Sequence, residues 1–170
     1  MILGMSIPSF TLLHVVLSLV GIVAGFVVVS GILGSKRLDR WTALFLATTV
    51  LTSATGFLFP RDKVLPSHIV GILSLALLAI AIFALYSRHL TGPWRATYVV
   101  TAVVSLYLNV FVGVFQSFLK LPLLNSLAPT QSEPPFVAAQ AIVLLIFVVL
   151  AVLGLRSFHP ESDAARLRAA

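Results

Sequence analysis

Hydrophobic residues are grouped in five long runs separated by short polar segments. Each run has about the 20 residues that a helix needs to cross the ~30 Å hydrocarbon layer of a bilayer. Prolines stand at the start of several runs, where a missing backbone N–H costs a helix nothing. We therefore predict an all-α bundle of five transmembrane helices, which cover residues 8–33, 41–59, 67–86, 94–118 and 135–155.

The fourth run carries the most polar residues at membrane depth. When its side chains are placed at 100° per residue, the polar ones fall within about 120° of one another and form a single stripe. A helix in lipid can be apolar all round, so a polar stripe along its length needs something polar to face. We expect this helix to be the wall of an internal site, with a stripe made of Tyr98, Thr101, Ser105, Asn109, Gly113, Gln116 and Lys120.

Composition agrees with a membrane protein. The 170 residues are 59% hydrophobic and 9% charged, and the mean hydropathy is +1.11. Soluble domains carry roughly 25% charged residues, so a soluble core is excluded. We predict one transmembrane domain over residues 1–158, followed by a cytoplasmic tail over residues 159–170. The absence of cysteine excludes disulfides and thiolate metal sites.

The basic residues predict the orientation of the helices. Eight of the eleven Lys and Arg residues fall on one side of the predicted bundle, and basic residues concentrate on the cytoplasmic side. The N-terminus is therefore predicted to be outside and the C-terminus inside. Because these residues lie between apolar runs, we assign the net charge of +6 to topology and not to nucleic-acid binding. The inner set is Lys36, Arg37, Arg40, Arg88, Arg95, Arg156, Arg166 and Arg168, and the outer set is Arg61, Lys63 and Lys120.

Polar residues of all five predicted helices lie in the outer half of the bundle, with Asn109 just below them. If these faces meet, they enclose a polar pocket that opens outward, and pockets between helices are usual ligand sites. The loop 119–134 could cover this pocket as a lid. We predict that the protein binds or transports a small molecule, or assists a partner that does. The predicted pocket residues are His14, Ser18, Thr52, Thr55, His68, Asn109, Gln116, Glu133 and Gln140.

Two further interpretations stay open. A b-type haem needs two axial ligands in an apolar slot, and His14 and His68 could supply them in a redox subunit. The same redox interpretation allows a metal ion between His14 and His68; the ion would need a third ligand, and only Glu133 or Asp62 is in reach by topology. In the other interpretation, the polar groups only hold helices together. Gly21 and Gly25 form a GxxxG element that permits close helix contact, either within the chain or with a second copy or another membrane protein.

Catalytic signatures are missing from the sequence. It contains no HExxH, no GxSxG, no Walker loop and no acidic cluster for magnesium, each of which would supply a nucleophile, a base or a metal at fixed spacing. Charged residues are also missing at mid-membrane, where ion-coupled transporters and proton pumps generally place them. The sequence therefore favours a protein that is neither an enzyme nor an ion pump.

Three segments resemble a group of small multi-pass bacterial inner-membrane proteins of unknown function. The segments are Pro66-Ser-His-Ile-Val-Gly71, Tyr107-Leu-Asn-Val-Phe111 and Ala128-Pro-Thr-Gln-Ser-Glu-Pro-Pro-Phe136. The resemblance covers about two thirds of the chain, from the second predicted helix to the fifth. It implies a location in a bacterial inner membrane and implies no catalytic activity.

Overall fold

The computed structural model describes residues 1–59 and 66–160, and this part of the chain is helical, without a β-strand. A π-helical turn over Phe83–Ser87 continues the third helix. The helices are α1 (Ile7–Leu33), α2 (Asp39–Gly56), α3 (Pro66–Ile82), α4 (Trp94–Lys120), α5 (Pro122–Leu127) and α6 (Pro134–Ser157).

Four of these helical segments are long and apolar enough to cross a membrane. The helix α2 is not among them. It is 18 residues long, or about 27 Å at 1.5 Å per residue, and it begins with Asp39 and Arg40 and carries five threonines. The prediction of an all-helical fold with helices that could cross a membrane is confirmed. The number of five spans and their orientation stay predictions.

The helix α4 is the centre of the bundle. It packs against α1, α3 and α6, and half of its most apolar window is buried, compared with 28% in α1 and 11% in α6. The helix α1 packs against α2, α4 and α6, and α3 packs against α2 and α4. This arrangement places the polar stripe of α4 inside the bundle: Tyr98, Thr101, Ser105 and Asn109 are all buried.

The outer surface of the bundle is apolar. Ile142, Leu145 and Val149 of α6 are 58%, 64% and 54% exposed. Such a continuous apolar surface is unfavourable in water but matches the hydrocarbon of a bilayer.

Helix boundaries differ from the prediction at several points. The helix α2 ends at Gly56 and not at Phe59, and α4 extends two residues further, to Lys120. Part of the predicted loop 119–134 forms the short helix α5, which begins with Pro122 at its first position. Residues 60–65 and 161–170, which hold Arg61, Lys63 and most of the predicted tail, lie outside the described residues.

Candidate functional site

The first pair of the candidate site joins α1 to the end of α2. The Nδ1 atom of His14 lies 2.8 Å from Oγ1 of Thr55, and Thr55 Oγ1 lies 2.7 Å from the carbonyl oxygen of Leu51. A hydroxyl has one hydrogen, so both bonds form when Thr55 donates to Leu51 and accepts from His14. We therefore assign the tautomer of His14 with hydrogen on Nδ1. This tautomer leaves a lone pair on Nε2, which can accept a hydrogen bond from another molecule.

The second pair lies one helical turn deeper and joins α1 to α4. The hydroxyl of Ser18 donates to Oδ1 of Asn109 over 2.8 Å. The amide nitrogen of Asn109 lies 3.5 Å from the carbonyl oxygen of Ser18, at the long limit of a hydrogen bond. Asn109 is 7% exposed, so its amide group lies inside the bundle. The only described hydrogen bond of its NH₂ group is this long one.

Below these pairs, Gly21 allows α1 to approach two threonines of α2. A Cβ atom on Gly21 would lie 3.1 Å from the hydroxyl oxygens of both Thr48 and Thr49, and 3.2 Å from the amide nitrogen of Asn109. Only glycine fits without displacing these polar atoms. Thr48 donates to the carbonyl oxygen of Leu44 over 2.7 Å, which satisfies it within its own helix.

Several buried hydroxyls beside these pairs have no hydrogen-bond partner within the described residues. They are Thr49, which is 1% exposed, Ser105, which is 0% exposed, and Thr52, whose oxygen is buried. A buried hydroxyl without a partner costs about 1–3 kcal/mol. Each of these hydroxyls therefore keeps an unused capacity to donate and to accept a hydrogen bond.

The structure brings together only part of the predicted pocket. His14, Ser18, Thr55 and Asn109 are linked in pairs, and Thr52 lies one turn from Thr55 on α2. His68 lies instead against the ring of Phe57, at 5.6 Å between centroids. Gln116 of α4 is half-buried, nearer the end of that helix.

Gln140 and Glu133 make contacts away from these pairs. Gln140 donates to the backbone carbonyl of Phe111 over 3.1 Å and joins α6 to α4. Glu133 accepts hydrogen bonds from its own loop, from the backbone N–H and hydroxyl of Thr130 and from the backbone N–H of Ser132, at 2.9–3.1 Å. The short helix α5 packs mainly on α4, and its Leu123 is 76% exposed. The role of the loop as a lid stays a prediction.

The two histidines of the haem hypothesis contact different residues at the end of α2. The His14 ring packs edge-on against Phe59, at 5.3 Å between centroids, whereas His68 packs on Phe57. The helix α2 packs against both α1 and α3, which carry these histidines. The haem hypothesis stays a prediction. Among the described residues, no group of three or more His, Asp or Glu side chains is placed to hold a metal ion.

The GxxxG element of α1, which we call the glycine seam, packs against α2 and α4 of the same chain. Gly21 faces α2 and α4 as described above, and a Cβ on Gly25 would lie 2.5 Å from Leu106 and 3.0 Å from Phe45. Both glycines are buried. Contact with a second copy through this seam stays a prediction.

Three residues of this region were not among the predicted pocket residues: Gly21, Thr49 and Ser105. Ser105 stands on the predicted stripe of α4, and Gly21 stands on the predicted seam of α1. A glycine on α1 together with the adjacent threonines Thr48 and Thr49 on α2 could have indicated this contact from the sequence, because glycine lets polar atoms of another helix come close. No family model, curated protein or solved structure matches the chain.

Proposed function

We propose that the protein crosses a bacterial inner membrane five times, with its N-terminus outside, and binds a small uncharged molecule between α1, α2 and α4. The observation that carries this proposal is a set of buried hydroxyls near the two linked pairs that have no partner in the described part of the chain: Thr49, Thr52 and Ser105. The apolar outer surface and the distribution of basic residues support the membrane location and orientation. The resemblance to small bacterial inner-membrane proteins supports the kind of membrane.

The chemistry of the site favours an uncharged ligand that both donates and accepts hydrogen bonds. No Asp, Glu, Lys or Arg side chain takes part in the described bonds of this region, and neutral hydrogen bonds alone do not repay the hydration that a buried charge loses. In this site, His14 accepts through Nε2, Asn109 donates through its amide group, and the threonine and serine hydroxyls do either. Access is from the end of the bundle where His14 and Thr55 are half-exposed.

Cysteine labelling tests this proposal directly, because the chain has no cysteine of its own. Thr52→Cys and Gln116→Cys should react with a membrane-impermeant methanethiosulfonate added outside. Ser132→Cys in the exposed outer loop is the positive control, and Ile146→Cys on the lipid-facing side of α6 is the negative control. Silence at Thr52 and Gln116 while Ser132 labels would show that the outward site is wrong. Lys36→Cys should label only from the inside, and labelling from outside would reverse the orientation.

A structural role is the second candidate, and the two satisfied pairs favour it. His14–Thr55 and Ser18–Asn109 each join two helices, and such bonds stabilise membrane bundles by about 0.6–2 kcal/mol. If His14→Ala and Asn109→Ala lower stability while Thr52→Cys stays unreactive, the pairs serve packing only. A reduced-minus-oxidised absorption spectrum of protein expressed with ample haem tests the redox alternative, since bound haem would give sharp α and β bands.

A further inference from the structure

A small cavity lies at the opposite end of the same helices. It has a volume of about 10 Å³, which is room for one water molecule. Its wall combines apolar residues of α1 with Thr42 of α2 and Tyr98 of α4. Lys36 and Arg37 of the connection between α1 and α2, and Asp39 at the start of α2, line it too. Arg37 and Asp39 form an ion pair at 3.1 Å, and the Asp39 side chain is 58% exposed. The cavity therefore lies where the bundle meets water at its charged end.

An apolar layer separates this cavity from the candidate site. Phe45 of α2 is 1% exposed and Leu106 of α4 is 0% exposed, and both press against Gly25 of α1. We call Phe45, Leu106 and Gly25 the apolar layer. On each helix this layer lies between the candidate site and the cavity. Gly25 lies one turn beyond Gly21 on α1. Phe45 lies between Thr42 and Thr49 on α2, and Leu106 lies between Tyr98 and Asn109 on α4.

The apolar layer is thin. Thr42 at the cavity and Thr49 at the candidate site are seven positions apart on α2, which is about 10 Å along a helix. Polar side chains thus approach this layer from both sides, and Thr48 of α2 and Thr101 and Ser105 of α4 are buried within the same interval. A layer that only packed helices would not need unpartnered hydroxyls next to it, yet Thr49 and Ser105 are buried there without partners in the described chain.

We propose that the protein conducts small uncharged polar molecules between the two sides of the membrane, and that the apolar layer is the gate. This proposal rests on the proposed function, because the candidate site is the outer half of the path. The structure holds the gate closed. A change of the Phe45 rotamer, or a shift of α1 at Gly25, would join the site to the cavity. The path has no charged side chain between the candidate site and Arg37–Asp39 among the described residues, so ions are excluded by the cost of dehydration.

Glycerol permeability of proteoliposomes, measured by stopped-flow light scattering, tests the gate. Phe45→Ala should raise glycerol permeability about tenfold over the unchanged protein, which corresponds to about 1.4 kcal/mol off the barrier. The matched control is Phe147→Ala, which removes an equally large ring that is 5% exposed and packs against Tyr107 at 5.7 Å, away from the path. Because Phe45→Ala can unfold the bundle, Phe45→Leu is measured beside it, and it should raise permeability by a smaller factor. If both folded Phe45 variants stay at the level of Phe147→Ala, the gate is wrong.

Labelling separates failure of the gate from failure of the site. Thr42→Cys should be silent to the impermeant reagent added at the His14 side in the unchanged background, and it should react in the Phe45→Ala background. If Thr52→Cys labels but Thr42→Cys stays silent in both backgrounds, the site stands and the gate is wrong. If Thr52→Cys is itself silent, the proposed function fails and the gate fails with it.

Discussion

The two ends of the α1–α2–α4 interface are both polar, but they satisfy their polar groups differently. At the Arg37 end, Arg37 pairs with Asp39, Arg95 donates to the carbonyl oxygens of Leu155 and Phe158 at the end of α6, and the N–H of His159 donates to the Ser35 hydroxyl over 2.8 Å. At the His14 end, two pairs form, and neighbouring hydroxyls find no partner within residues 1–59 and 66–160. One end ties helices together with charged and backbone groups, whereas the other keeps hydrogen-bonding capacity that the proposed ligand would use.

The apolar layer between these ends gives the largest expected effect. Gly25→Ala adds a Cβ that would lie 2.5 Å from Leu106 and 3.0 Å from Phe45, and overpacking of this kind costs about 1–3 kcal/mol. The loss should appear despite the better helix propensity of alanine, as a lower midpoint of thermal unfolding in detergent. Gly113→Ala is the control, because its Cβ would meet only Ile22 at 3.7 Å; it should be neutral or stabilise by up to about 1 kcal/mol. Equal effects at the two glycines would mean that the close contact is absent.

Asn109 tests how much the His14 end depends on its linked pairs. Asn109→Ala removes the partner of the Ser18 hydroxyl and should lower the free energy of unfolding by about 1 kcal/mol, within the range of interhelical bonds in membranes. Asn125→Ala is a matched control, because Asn125 bonds to carbonyl oxygens of Phe118 and Leu119 near the surface. Its effect should be smaller in the same denaturation measurement. A larger loss at Asn125 would contradict the central place of the Ser18–Asn109 pair.

The helices could be predicted from the sequence because apolar length decides what crosses lipid. The predicted second helix, residues 41–59, is found at Asp39–Gly56, a shift of two or three residues. The short helix α5 was missed, since six residues that begin with Pro122 leave no periodic pattern. For α2, threonines and charges at one end weaken the apolar signal, which is why its place in the membrane is the least certain from composition.

The sequence predicts how deep in the bundle the site residues lie, but not which of them contact each other. Periodicity alone shows that Asn109 points inward, because it lies on the polar stripe of α4. It does not show which helices are neighbours: the predicted pocket holds both Thr55 and His68 beside His14, and the structure links His14 to Thr55. The sequence also does not show which threonines of α2 face α1. In the structure Thr49 faces α1, because its hydroxyl lies close to Gly21.

Arg95 tests the Arg37 end, where the expected effect is smaller. The last carbonyls of a helix lack partners within the helix, and Arg95 binds two of them at the end of α6. Arg95→Leu should therefore speed hydrogen exchange in the last turn of α6 and cost about 0.5–1 kcal/mol. Arg156→Leu, an exposed residue of that same turn, is the control and should change exchange less. If the two variants behave alike, Arg95 is not the cap of α6.

Glu133 gives the smallest effect and a pH dependence at the His14 end. Desolvation alone would raise the pKa of its carboxyl. The hydrogen bonds from Thr130 and Ser132 lower the pKa by more than desolvation raises it, so the pKa lies below its ordinary value. A carboxyl with a lowered pKa stabilises the folded loop above its unfolded pKa, and this contribution is lost as pH falls through the folded pKa. Acidification should therefore loosen the turn Thr130–Glu133, seen as faster proteolysis of the loop at low pH, and Glu133→Gln should remove the pH dependence. Because the described hydrogen bonds of Glu133 stay within its own turn, labelling of Thr52→Cys should not change over the same pH range. If it does change, the loop controls access to the site after all, and the His14 end is less open than the described contacts indicate.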